Sequence, residues 1–188
     1  SFMNDVSSPE EGFPRAEKEN GMFDEKNALV LKLAEALLRR NMTCATAESC
    51  TGGLIGAMLT AVPGSSDWYV GGVISYANAV KMQLLGVRGD DLAGEGAVSE
   101  PVVRSMALGA CTATGAQAAM SVSGVAGPGG GSAEKPVGTV WMGWALGGST
   151  RAAVFHFEGN RDSVRVQAAE AAIRGLLAWL EESEASAG

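Results

Sequence analysis

The chain has 188 residues, is 46% hydrophobic and carries a formal net charge of −7, so one domain can bury a core without disulfides or a structural metal. The charge lies at the two ends: residues 1–26 carry −4 and residues 181–188 carry −3, whereas residues 27–180 hold 11 acidic and 11 basic residues. A neutral central region without clustered Lys and Arg disfavours a nucleic-acid partner.

Cysteine and histidine usage excludes further classes of protein. Cys44, Cys50 and Cys111 are odd in number and have no CxxC spacing, which disfavours a disulfide framework or a zinc site. No apolar run reaches the roughly 18 residues of a membrane helix, and the N-terminal residues are acidic, unlike a secretory signal. We therefore expect a cytoplasmic protein with no membrane partner, no metal and no cofactor.

The predicted elements begin after an N-terminal segment rich in Ser, Pro, Glu and Gly. Residues 1–24 are predicted to be a disordered acidic leader, and residues 25–183 a single domain. Asp24 is a candidate cap for a helix that runs to about Arg40. The following segments are predicted in order: a strand at 43–47, a helix at 51–61, a strand at 68–75, a helix at 78–85, a helix capped at Ser99 and running to 113, a strand at 116–123, a Gly-rich loop at 124–136, strands at 137–146 and 150–157, and a helix at 161–182.

This order predicts an α/β fold, a three-layer α/β/α sandwich on a mixed, partly parallel sheet. Strands joined through helices tend to run parallel, with right-handed crossovers. The loops after Ala47, Ser75 and Ser123 then leave the same sheet edge, where ligands of open α/β sheets gather. The strand that contains Gly71 and Gly72 leaves an antiparallel alternative open.

Ser49 is a candidate nucleophile because it stands between a strand end and a Gly-rich helix start. Unpaired N–H groups at a helix N-terminus can stabilise an oxyanion or bind phosphate. The N–H groups near Cys50, Thr51 and Gly52 are assigned to the oxyanion. The alternative is a helix-capping serine, and Cys50 is then simply a small packed thiol.

Lys81 and Tyr76 are the candidate partners of Ser49. A serine nucleophile needs a base, and a lysine base must be neutral, which requires burial to lower its pKa from about 10.4. A solvated helix lysine is the alternative. Tyr76 either relays a proton or packs at a strand end. His156 alternates with two phenylalanines in a predicted strand and is interpreted as a surface residue.

The Gly-rich loop is a candidate anion site because such loops expose backbone amides. Gly127, Gly129 and Gly130, together with Lys135 and Thr51, are assigned to the binding of an anion such as phosphate, with a flexible connector as the alternative. Lys-Ser/Thr does not close this loop as it does in a Walker motif. Asn78 and Ser99 are interpreted as helix caps.

Six segments together resemble the CinA C-terminal domain family, the family of nicotinamide-nucleotide amidases. They are AESCTGG at 47–53, PGSS at 63–66, SYANAVK at 75–81, GAVSEPVV at 96–103, SGVAGPGGG at 123–131 and KPVGTVW at 135–141. The resemblance covers residues 43–158. It implies a similar α/β sandwich, a homodimer, and hydrolysis of nicotinamide mononucleotide to nicotinate mononucleotide and ammonia.

The resemblance also implies that the family's catalytic serine, tyrosine and lysine fall on Ser49, Tyr76 and Lys81. We therefore expect an enzyme that acts on a small nucleotide through a Ser-Tyr-Lys mechanism. The alternative is a catalytically silent nucleotide-binding or competence-associated interaction module, which would bind the nucleotide without releasing ammonia.

Overall fold

A computed structural model describes residues 22–188, with side chains from Glu25 onward. The helices and strands alternate through the first two thirds of the chain and end in a hairpin and a long helix. In chain order they are α1 (Met22–Arg39), β1 (Cys44–Glu48), α2 (Leu54–Thr60), a 3-10 turn (Ser65–Asp67), β2 (Tyr69–Ile74), α3 (Asn78–Leu85), α4 (Gly89–Glu95), α5 (Glu100–Thr114), β3 (Ala118–Gly124), β4 (Thr139–Leu146), β5 (Ser149–His156) and α6 (Arg161–Ala187).

The five strands form one mixed sheet in the order β2-β1-β3-β4-β5. β1 pairs in parallel with β2 and with β3, whereas β4 and β5 are antiparallel additions. β2 is therefore parallel, which closes the antiparallel alternative left open by Gly71 and Gly72. The predicted α/β fold on a mixed, partly parallel sheet is confirmed.

Helices cover both faces of this sheet, and each face has its own core. α1, α2 and α6 pack on one face around Leu33, Ile55 and Leu176. α3 and α5 pack on the other face around Leu85 and Met106. Since successive side chains of a strand point to opposite faces, the residues of β1 alternate between the two cores: Cys44 packs in the first, and Ala45 and Ala47 pack in the second.

Several predicted boundaries are wrong in ways that have local causes. α2 begins at Leu54 instead of residue 51, because Gly52 and Gly53 adopt left-handed backbone angles with φ of +60° and +107°. β4 begins at Thr139, two residues later than predicted. α4 was not predicted, since its seven residues include two glycines and two aspartates and show no apolar periodicity.

Of the three predicted helix caps, Asp24 and Asn78 are wrong and the position of Ser99 is confirmed. Asp24 lies inside α1, and Asn78 is the first residue of α3, after an N-cap at Ala77. Ser99 does occupy the N-cap position of α5, but its side chain makes no capping hydrogen bond and its hydroxyl donates to the Gly96 carbonyl at 2.7 Å. The predicted end of α3 at Gly86 is correct, with φ of +67°.

The predicted disordered leader falls almost entirely on residues 1–21, outside the described residues. Residues 22–24 belong to α1. At the other end, α6 continues to Ala187, beyond the predicted limit of residue 182. Within residues 22–188, no helix is both long enough and apolar enough to cross a membrane.

Candidate active site

A cleft of about 280 Å³ opens at the carboxyl ends of the parallel strands. Three loops meet there, as predicted from the strand order: those that follow β1, β2 and β3. The residues that line the cleft are Ser49, Cys50, Tyr76, Asn78, Lys81, Ala97, Val98, Ser123, Gly124, Val125, Ala126, Gly127, Gly129, Gly130 and Arg161. Predicted site residues from separate segments therefore share one cavity.

Ser49 and Lys81 are in direct contact inside this cleft. Lys81 Nζ lies 3.0 Å from Ser49 Oγ. The same amine donates to the backbone carbonyl of Ser75 at 2.6 Å and to that of Tyr76 at 3.3 Å. The end of β2 thus anchors the amine, and the turn after β1 presents the hydroxyl to it.

Lys81 is the only lysine among residues 25–188 whose surface is almost wholly inaccessible, with 1% exposed. It lies on the inner face of α3 with Leu85, one helical turn later, while the neighbouring Met82 and Leu84 are exposed. Burial lowers the pKa of the Lys81 amine from its usual 10.5, an effect that the nearby Cys50 thiol partly opposes. Burial therefore shifts this amine toward the neutral form that a base requires.

The turn that carries Ser49 is held by Glu48, the last residue of β1. Glu48 is 2% exposed, and its carboxylate accepts hydrogen bonds from Thr51 Oγ1 at 2.7 Å, the Ile55 N–H at 2.8 Å and the Gly56 N–H at 3.1 Å. These bonds occupy the N–H groups of Ile55 and Gly56 at the start of α2, so these two groups are not free to bind a ligand.

The backbone donors assigned to the oxyanion are not equivalent. The Gly52 N–H donates to the Ser49 carbonyl at 3.0 Å, so it is already used within the turn. The N–H groups of Cys50 and Thr51 have no backbone carbonyl partner among residues 22–188. Thr51 is fully buried and does not line the cleft, whereas Cys50 does. Of the predicted donors, the Cys50 N–H therefore remains the candidate beside Ser49.

Tyr76 lines the cleft but lies apart from the Ser49–Lys81 contact. Its side chain is 64% exposed, and its hydroxyl lies 3.5 Å from Arg161 Nη2. Among the described residues this hydroxyl makes no hydrogen bond with Ser49 or Lys81. In this geometry the phenol belongs to the rim of the cleft.

The Gly-rich loop supplies one wall of the cleft. Gly127, Gly129 and Gly130 line it, and Arg161, from the first turn of α6, donates to the Gly127 carbonyl at 2.8 Å. Gly127 has φ of +82°, and a side chain there would meet Val137 at 2.4 Å. The loop therefore requires glycine at this position both for its backbone angles and for its packing.

Three residues predicted to bind substrate lie outside the cleft lining. The Thr51 side chain is fully buried against Glu48, and Gly52 is an exposed turn residue beyond the lining. Lys135 Nζ donates to the Glu95 carbonyl at 2.5 Å. Lys135 therefore ties the Gly-rich loop to the end of α4, and its amine does not face the cavity.

Cys50 and His156 both occupy the positions expected of structural residues. Burial raises the pKa of the Cys50 thiol to about 11, so the packed-thiol interpretation fits better than a reactive thiolate. His156 is exposed on β5, with Nδ1 at 3.4 Å from Thr139 Oγ1. Within the described residues no cluster of three or more His, Cys, Asp and Glu side chains is arranged to hold a metal ion.

Sequence reasoning did not identify Arg161 or Ser123 as cleft residues. Arg161 follows the first strand by more than a hundred residues, and only the fold brings the start of α6 beside the Gly-rich loop. Ser123 does carry a signal: it is the second-last residue of β3, the strand that pairs with β1, at the sheet edge where the other loops emerge. That position is consistent with its place in the lining of the same cleft as Ser49.

Comparison with known proteins gives consistent matches along this chain. The family model for the CinA C-terminal domain matches residues 26–180. A protein of Escherichia coli strain K12 named nicotinamide-nucleotide amidohydrolase PncC is 49% identical over 148 residues, which are 77% of this chain and 88% of that protein. A protein of the same name from Pseudomonas putida is 48% identical over 155 residues, 82% of this chain and 97% of that protein.

Longer relatives and solved structures match as well. A CinA-like protein of Chlorobaculum tepidum is 49% identical over 153 residues, 79% of this chain but only 36% of that protein, so the chain spans about a third of such relatives. The crystal structure of a CinA superfamily protein from Klebsiella pneumoniae matches with a TM-score of 0.80 and 37% identity, covering 84% of this chain and 98% of that chain. A competence/damage-inducible protein from Agrobacterium tumefaciens gives a TM-score of 0.80 at 36% identity, covering 84% and 96%.

Proposed function

The chain belongs to the CinA C-terminal domain family, and from this premise we propose that it is an amidohydrolase that converts nicotinamide mononucleotide to nicotinate mononucleotide and ammonia. The names of the relatives from Escherichia coli and Pseudomonas putida support this activity. The observation that carries the proposal is the 3.0 Å contact between Lys81 Nζ and Ser49 Oγ in a cleft. This contact joins a nucleophile to a base whose burial favours the neutral form.

The carbonyl groups around Lys81 support its role as the base. A neutral amine has two hydrogens and one lone pair, and the carbonyls of Ser75 and Tyr76 are within reach of both hydrogens. The lone pair is then free to accept the Ser49 hydroxyl proton across the 3.0 Å contact. An ammonium would have three hydrogens and no acceptor site, so the base function requires the neutral form.

Acylation and deacylation follow from this arrangement. Ser49 Oγ forms a bond to the carboxamide carbon while its proton passes to Lys81 Nζ. The tetrahedral intermediate then breaks its C–N bond, and Lys81 returns the proton to the departing nitrogen, which leaves as ammonia. In the second half, Lys81 takes a proton from water, the hydroxide oxygen bonds to the acyl carbon, and the proton returns to Ser49 Oγ as its ester bond breaks.

The negative charge that develops on the carbonyl oxygen needs donors close to Ser49. The Cys50 N–H is the candidate, because Cys50 lines the cleft and its N–H donates to no backbone carbonyl in the described residues. In other enzymes, loss of one oxyanion donor lowers kcat by about 10²–10³-fold. We assign the oxyanion to this group and leave out Gly52, whose N–H is engaged in the turn, and Thr51, which is fully buried outside the cleft.

The opposite side of the cleft suits the anionic part of a nucleotide. Arg161 brings a guanidinium to the Gly-rich loop, where it is held by the Gly127 carbonyl and lies 3.5 Å from the Tyr76 hydroxyl. Guanidinium groups and exposed backbone amides both bind phosphate well. We therefore assign the phosphate to Arg161 with Gly129 and Gly130. The predicted relay role of Tyr76 and the homodimer stay predictions.

The function is tested by incubating the full chain with nicotinamide mononucleotide and measuring ammonia together with nicotinate mononucleotide. We expect equal amounts of both products, and slower turnover of nicotinamide riboside, which lacks the phosphate. Binding of nicotinamide mononucleotide without ammonia release would reject the amidase and support the rival nucleotide-binding or interaction module. Light scattering of the same sample tests the predicted homodimer.

A further inference from the structure

Two charged side chains, those of Glu48 and Arg165, form hydrogen bonds with the turn that carries Ser49, yet neither lines the cleft. Glu48 ends β1, and Arg165 lies on α6, so the two approach the turn from different elements. Neither has an ion-pair partner among the described residues. Their charges are instead directed at backbone and hydroxyl groups of a few consecutive residues.

Glu48 holds the turn from inside the protein. Its three partners, the Thr51 hydroxyl and the N–H groups of Ile55 and Gly56, are all donors, which is the pattern of an ionised carboxylate. A buried carboxylate is tolerated only when such bonds replace its hydration. Its backbone adds a further anchor, because the Ser75 N–H donates to the Glu48 carbonyl at 2.8 Å.

Arg165 holds the same turn from α6. Its Nε donates to the Cys50 carbonyl and its Nη2 to the Thr51 carbonyl, both at 3.1 Å. In a trans peptide the carbonyl and the following N–H point in opposite directions. A guanidinium that fixes the Cys50 carbonyl therefore also fixes the direction of the Thr51 N–H, which points away from Arg165.

We propose that Glu48 and Arg165 are positioning residues that fix the conformation of the 49–52 turn, so that the Ser49 hydroxyl meets Lys81 and Cys50 keeps its place in the cleft lining. This inference rests on the proposed amidase. Neither residue touches the substrate, and both act through the backbone. The guanidinium reaches the two carbonyls from two different nitrogens, each at 3.1 Å, and the single nitrogen of a lysine cannot reproduce that geometry.

The substitution Arg165→Met tests this proposal, with Arg174→Met as the matched control on an exposed part of the same helix. We expect Arg165→Met to lower kcat at least tenfold with KM for nicotinamide mononucleotide changed less than threefold. Arg165→Lys should recover only part of the loss, and Arg174→Met should equal the wild type. A rise in KM at unchanged kcat, or a kcat within threefold of the wild type, would overturn the proposal.

Amide hydrogen exchange provides a readout that does not depend on turnover. Arg165→Met should accelerate exchange at least tenfold at the amides of Gly52 and Leu54, which donate to the Ser49 and Thr51 carbonyls, and leave the amides of β3 and β4 unchanged. Acceleration spread over the whole chain would indicate a general structural role and contradict the proposal. If the wild type released no ammonia, the proposed function would fail, while local exchange would still decide whether the turn is held as proposed.

Glu48→Gln gives a second, nearly isosteric test of the same proposal, on the buried side of the turn. The amide keeps one acceptor oxygen but replaces the other with a donor, which must then face an N–H group or a hydroxyl. We expect the same split, a lower kcat with KM preserved, and faster exchange in the same turn. Glu35→Gln on the exposed face of α1 is the control. A normal kcat in folded Glu48→Gln would refute the role of Glu48.

Discussion

Replacement of Lys81 by arginine distinguishes two roles of this side chain, that of a base and that of a positive charge. The guanidinium keeps a cation and several donors in the cleft, so it can still bond to the Ser75 and Tyr76 carbonyls. It cannot accept a proton from Ser49, because an arginine side chain stays protonated at any pH that the fold tolerates. Lys81→Met is the companion variant, which removes both the charge and the lone pair.

The expected loss follows from the geometry. Lys81 Nζ lies 3.0 Å from Ser49 Oγ, and a positioned general base contributes about 10²–10⁴-fold to rate. We therefore expect Lys81→Arg to lower kcat/KM at least about 100-fold, which corresponds to about 2.7 kcal/mol of transition-state stabilisation. Lys81→Met should lose as much, since in this account the charge contributes nothing to the first proton transfer.

The assay is ammonia release from nicotinamide mononucleotide between pH 6 and pH 11, with thermal melting to show that each variant is folded. Burial lowers the pKa of Lys81 below 10.5, so wild-type kcat/KM should rise with pH as the amine loses its proton, with a midpoint below pH 10.5. A Lys81→Arg variant within threefold of the wild type would refute the base assignment. A wild-type midpoint at or above 10.5 would refute the neutral amine.

Three further substitutions test other parts of the account. Tyr76→Phe should raise KM for nicotinamide mononucleotide and leave kcat within threefold, because the hydroxyl lies beside Arg161 and not beside Ser49. A hundredfold fall in kcat would instead support the proton relay through Tyr76. Gly127→Ala should raise KM at least tenfold, since its new methyl meets Val137 at 2.4 Å, and an unchanged KM would show that the loop does not bind substrate. Gly143→Ala places a methyl 2.3 Å from the Val103 carbonyl, so overpacking should cost about 1–3 kcal/mol and lower the melting temperature; an unaltered melt would contradict the tight contact of α5 with β4.

The layout of the sheet was predictable because it depends on local patterns. Apolar strands separated by helices predicted parallel pairing, and the ends of those strands predicted that Ser49, Lys81 and the Gly-rich loop converge. The structure confirms that convergence. The parallel direction of β2 was harder to predict, since two glycines weaken its strand pattern and only pairing with β1 fixes its direction.

The burial of Lys81 could not be predicted from the sequence, because apolar side chains are normally buried in preference to lysine. On α3 the lysine is buried while Met82 and Leu84 are exposed, so a helical pattern alone favours the opposite orientation. What decides the orientation is the line of carbonyls at the end of β2 that accept from the amine. Contacts of this kind appear only when the elements are assembled.

Glu48, Arg161 and Arg165 were missed for a related reason. The partners of Glu48 are mainly backbone N–H groups. Because nearly every residue has such a group, the residue types give no indication that these ones bind Glu48. The two arginines lie in the last helix, where an amphipathic pattern predicts exposed cations, and their acceptors are carbonyls of Cys50, Thr51 and Gly127 from much earlier in the chain. Long-range contacts between a side chain and a backbone leave no spacing signal.

The most direct test of the central claim is the rate of ammonia release by Ser49→Ala beside the wild type, at one pH and saturating nicotinamide mononucleotide. The substitution removes only the nucleophilic oxygen and leaves the turn, the cleft and Lys81 in place. The account predicts a kcat at least about 10³-fold lower than the wild type, with binding of nicotinate mononucleotide retained. A kcat within tenfold of the wild type would contradict a serine nucleophile at this position.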